Sequence, residues 1–126
     1  MIRFFLISGA ILAGLSVAGG AFATHALRAK LDDRAIAIFE TGAKYQMYHA
    51  IALILVALLM ARAELGETIL AVSGIAFISG IVLFSGSLYT LSLSGVKILG
   101  AVAPLGGAAF LIGWACLAIA AFQWKP

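Results

Sequence analysis

The stretch AKYQMYHAIALILVALLM, residues 43–60, decides the fold. Its later part is apolar enough for a bilayer interior. Yet His49 sits within it, and Lys44, Tyr45, Gln46 and Tyr48 crowd its start. The rest of the chain settles the solvent. Of 126 residues, 64% are hydrophobic and 10% charged, and the mean hydropathy is +1.17. Soluble domains carry about 25% charged residues. A chain this small cannot bury so much apolar surface in one core. It reads as a single-domain integral membrane protein.

Four apolar stretches follow from the same pattern: residues 4–24, 44–62, 68–91 and 102–123. Each is near the ~20 residues that cross a hydrocarbon core. RAELGE, residues 62–67, is a short polar turn between the second and third. The expected fold is all-α: a membrane four-helix bundle, up-down-up-down. Arg3 and the AFA at residues 21–23 also suit a cleaved signal peptide. The apolar run is longer than a typical signal core, so a retained helix is expected.

Between the first two spans, Leu31, Ala35, Ile38 and Phe39 share one helical face. Asp32 or Asp33 can cap its start, Gly42 can end it, and Glu40 and Lys44 stand at i, i+4. The spacing predicts a short amphipathic helix at 33–41 lying on the membrane surface. In the fourth span, Pro104 fits the first turn of a helix. A kinked helix from Lys97 is the alternative. Small residues recur every four positions: Ala10, Gly14 and Ala18; Ala76 and Gly80; Ala109 and Gly113. Such faces let helices approach closely in lipid.

Four spans put both termini and the 62–67 turn on one side, A, and the other two connections on side B. Side A collects Arg3, Arg62, Glu64, Glu67, Trp124 and Lys125, an ordinary charged and aromatic border. Side B collects the polar groups: Thr24 and His25, then Tyr45, Gln46, Tyr48 and His49, then Ser85, Ser87, Tyr89 and Thr90, and Pro104. Tyr45, Gln46 and His49 share a helix face. His49 is expected ~6–8 Å inside the helix start, with serine or tyrosine partners and His25 as its neighbour. An ionisable group in a span is by default a functional-site hypothesis, and a bonded packing role is the rival. The candidate ligand-binding set is therefore His25, Tyr45, His49, Ser85 and Tyr89.

Metal or haem ligation by His25 and His49 is weakly supported, with Glu40 as the one further donor and no helical His pair. No nucleophile–base pair, phosphate loop or paired carboxylate appears, so neither an enzyme nor a bound cofactor is expected. Cys116 stands alone in an apolar run. The net charge of +3 does not indicate nucleic acid, because the cations lie near segment ends or in connections, where they suit headgroups. Five cations on side B against three on side A place B in the cytoplasm.

GGAFATHAL (19–27), FETGAKYQMYHAIALIL (39–55), LFSGSLYTLSLSG (83–95) and APLGGAAFLIGW (103–114) together resemble one family. It is the small four-helix membrane proteins of domain of unknown function 423, whose animal members are called transmembrane protein 256. His25, His49, Tyr89, Pro104 and Gly106–Gly107 fall at its motif positions. Where the family has Gly-Ala before the first histidine, this chain has Ala23-Thr24. The resemblance implies a four-helix membrane fold and no particular reaction.

Two functions remain open. One is a non-enzymatic packing or accessory protein, associating with itself or a larger membrane complex, with Gly14, Gly80, Pro104, Gly106, Gly107 and Gly113 as structural residues. The other is a binding or transport module, using the His25–His49 cluster for a proton, metal, lipid headgroup or small polar ligand. The expected location is the bacterial cytoplasmic membrane, multi-pass.

Overall fold

Helix starts and stops follow local chemistry. The computed structural model describes residues 1–62 and 66–123. Its helices are α1 (Ile2–His25), α2 (Asp33–Met60), α3 (Glu67–Gly80), α4 (Gly86–Ser94) and α5 (Ala103–Phe122). Asp32 starts α2, its carboxylate accepting from the Ala35 backbone N–H at 2.8 Å. Pro104 occupies the first turn of α5, where its missing N–H costs nothing. Gly95 ends α4 at φ +70°, a conformation that favours glycine. Single 3₁₀ turns sit at Leu27–Ala29 and Lys97–Ala101. A π-helical segment, Ile81–Ser85, joins α3 to α4 in one rod.

Four rods (Ile2–Ala29, Asp33–Met60, Glu67–Ser94 and Lys97–Phe122) are long and apolar enough to cross a membrane. The protein is an all-α, multi-pass membrane four-helix bundle. α2 is central, with α1 on one side and the α3–α4 rod on the other, and α5 packs on α3. Phe5, Leu53, Val56 and Phe77 are fully buried in the main core.

One expected element is corrected. No separate surface helix exists at 33–41: those residues are the first turns of α2, which runs unbroken through Gly42. Their apolar face is covered by protein instead of lipid. Ile36 and Phe39 pack with Ala23 and Leu27, flanked by Leu31 and Tyr89. Gly42 stays helical because its missing side chain makes room, a Cβ there lying 3.0 Å from the Tyr89 ring. Glu40 pairs with Arg28, at 4.0 Å between exposed side chains, which is worth little. The third span reaches Ser94. Glu64, Trp124 and Lys125, expected on the A border, lie outside the described residues.

The small-residue faces divide. Gly80 receives the Phe110 ring, and Gly113 receives Phe77, whose ring would lie 2.6 Å from a Cβ. Gly106 sits against the Phe84 backbone. These notches lock α5 onto the third span, the close approach that favours small residues in lipid. Gly14 and Gly107, in contrast, have nothing within 4 Å of a Cβ.

Candidate functional site

His49 is the focus of the polar residues, and its surroundings are aromatic. Because α2 begins at Asp33, His49 lies ~24 Å from that end and ~17 Å from Met60. It is near half height, not at the rim. Its ring is 4% exposed. Nδ1 lies 2.6 Å from the Tyr45 carbonyl. A carbonyl only accepts, so Nδ1 carries the proton. Nε2 then accepts from the Trp114 indole N–H at 3.1 Å. Phe110 stacks face to face on the imidazole, centroids 3.4 Å apart. Phe77 closes another side at 5.6 Å. The histidine thus ties α2 to α5 over a base of phenylalanines from α3 and α5.

Both ring nitrogens are engaged, so ligation of a metal or haem iron through Nε2 would first have to break the Trp114 bond. Among the described residues, no three His, Cys, Asp or Glu side chains come together as a metal cluster.

The other candidate residues are bonded within the bundle. Ser85, fully buried, donates to the Gly42 carbonyl at 2.7 Å. Tyr89 donates to the Gln46 side-chain oxygen at 2.7 Å, and Gln46 donates onward to the Leu12 carbonyl at 2.7 Å. This chain links α4, α2 and α1. Ser16 and Ser73 make similar bonds, to the carbonyls of Ala43 and Gly113. Ser92 donates to Ala35. His25 ends α1 with an exposed side chain and stands apart from these contacts.

Tyr45 lies beside His49 and Phe84, at ring-centroid distances of 6.1 and 4.8 Å. A groove of about 560 Å³ opens here between α2 and α5. Tyr45, His49, Phe84, Pro104, Phe110 and Trp114 line most of it. So Tyr45 and His49 share one site, Ser85 and Tyr89 belong to the helix seams, and His25 belongs to neither.

Trp114 is the residue that sequence reasoning missed. It sits well inside the fourth span, away from the side-B cluster. A signal was present: an indole N–H deep in a span needs an acceptor, and His49 is the histidine within the second span.

Sequence comparisons relate the chain to bacterial membrane proteins. The profile described as "Protein of unknown function (DUF423)" matches residues 19–107. The UPF0382 membrane protein YwdK of Bacillus subtilis (strain 168) is 44% identical over 122 residues, covering 97% of this chain and 98% of its own. A UPF0382 membrane protein of Staphylococcus aureus (strain bovine RF122 / ET3-1), SAB0533, is 40% identical over 123 residues, 96% of this chain and 97% of its own. No solved structure matches the chain. With four apolar rods and full-length similarity to bacterial membrane proteins, this multi-pass bacterial membrane protein belongs to the DUF423 family, whose function is unknown.

Proposed function

We propose that the protein is a non-enzymatic accessory membrane protein that packs against itself or a larger membrane complex. One observation carries this reading. The polar side chains best placed for chemistry spend their hydrogen bonds on holding helices together: Ser85 on Gly42, Tyr89 on Gln46, and Trp114 on His49. The outward surface is apolar. On α1, Ile7, Ile11, Leu15 and Val17 are exposed, and Ala10, Gly14 and Ala18 lie open among them. A helix face with small residues at this spacing suits close approach of another helix.

The test is extraction in mild detergent followed by crosslinking and native mass spectrometry. The expected species is an oligomer, or a complex with a co-purifying membrane protein. Gly14→Leu should dissolve it and leave the bundle folded, because a Cβ at Gly14 meets nothing within 4 Å. A monomer that carries no other protein overturns the reading. A second reading, a binding module, has one specific support: the groove beside His49 and Tyr45.

A further inference from the structure

The groove between α2 and α5 has a length, a lining and a charge pattern that suit one class of occupant. It runs along α5 from Pro104 to Trp114. Those ten residues rise ~15 Å, the depth of one leaflet in a hydrocarbon core ~30 Å thick. The walls are mostly aromatic and aliphatic; of their two polar side chains, His49 has both nitrogens engaged and Tyr45 lays its ring against Phe84. A straight apolar chain therefore fits better than a polar solute.

Two cations stand close in the chain to groove-lining segments. Lys44 immediately precedes Tyr45 on α2, and Lys97 opens the 3₁₀ turn that leads into α5. Both are exposed, and neither belongs to the ion pair found among the described residues, Arg28–Glu40. Exposed lysines reach toward the headgroup level along their apolar stems and attract anionic lipid there.

We infer that the groove holds one acyl chain of an anionic phospholipid, with its phosphate between Lys44 and Lys97. This goes beyond the accessory role and does not depend on it. Gly107 supplies the means to test it. It lines the groove, and a Cβ there meets nothing within 4 Å. A larger side chain at 107 enters the groove from a Cβ that presses on nothing.

The probe is Trp114 itself. Trp124→Phe leaves it the sole tryptophan. This protein is reconstituted in phosphatidylcholine vesicles containing a small, equal fraction of either brominated phosphatidylglycerol or brominated phosphatidylcholine. The brominated anionic lipid should quench Trp114 at a lower fraction, about fivefold lower for each lysine engaged. Gly107→Leu should abolish that excess, as should the Lys44→Gln/Lys97→Gln pair. Both changes fall on open or exposed positions, and an unchanged circular dichroism melt confirms that the fold is retained. Equal quenching by the two lipids overturns the inference. So does an anionic preference that survives either variant.

Discussion

The seam between α3 and α5 and the seam between α1 and α2 solve one problem by different means. In lipid, apolar surface alone does not drive helices together, so shape and hydrogen bonds must. The α3–α5 seam relies on shape. Rings enter glycine notches in both directions, Phe110 over Gly80 and Phe77 over Gly113, with one serine bond from Ser73. The α1–α2 seam relies more on polar bonds: Ser16 to Ala43 and Gln46 to Leu12. Its notch, Gly9, faces Cγ1 of Ile54, 2.7 Å from a Cβ built there, and the Ala50 carbonyl at 3.0 Å, and not a ring. A rigid seam should be damaged by added bulk, and a bonded seam by lost donors.

Gly106→Ala should have the largest effect. Its Cβ would strike the Phe84 backbone, which no rotamer change relieves. Overpacking costs typically ~1–3 kcal/mol and occasionally more, and this substitution should lie at or above the top of that range, read as loss of folded protein in detergent unfolding. Gly113→Ala follows at about 2 kcal/mol. It should be partly rescued by Phe77→Leu, which removes the ring in its path. Additive losses in that double variant would show that ring and notch are not coupled.

On the bonded seam, Gln46→Leu removes two hydrogen bonds, to Leu12 and from Tyr89. At ~0.6 kcal/mol per bond between membrane helices, it should cost about 1 kcal/mol in the same unfolding measurement. Trp114→Phe removes the single bond to His49 and should cost about 0.6 kcal/mol. If it costs as much as Gly113→Ala, the α2–α5 tie is a principal support and the contrast between seams needs redrawing. Gly9→Ala should cost about 1 kcal/mol, the low end for overpacking, since its Cβ meets one Ile54 carbon and the edge of the Ala50 carbonyl and not a whole ring.

Spans and topology were legible because apolar run length and helix-end chemistry are local. Pro104 in a first turn and Asp32 as a cap were readable from residue type alone. The surface helix was misread because its apolar face has the same spacing whether lipid or protein covers it. Only the position of Ala23, Leu27 and Tyr89 decides which. Gly42 looked like a stop signal for a similar reason, its use being a contact with Tyr89 forty-seven positions later. The site was half legible. Tyr45 and His49 share a helix face and so were paired correctly. His25 shares an end of the bundle with them but not a face, and Trp114 entered from a helix whose rotation no local pattern reports.

The π-helical turn at Ile81–Ser85 acts as a phase shifter in the third span. Below it the rod offers Ser73, Phe77 and Gly80 to α5; its last residue, Ser85, and Tyr89 and Ser92 above it bond to α2. An ordinary α-helix advances about 100° per residue, whereas a π turn spends one extra residue on a single revolution. Deleting the exposed Val82 would let the turn relax to α geometry with the residues above it nearly in place, so amide-exchange protection in residues 86–94 should survive. One residue inserted after Gly86, where no π turn absorbs it, would rotate everything above it by about 100° and misalign the bonds of Tyr89 and Ser92 to α2, and that protection should be lost.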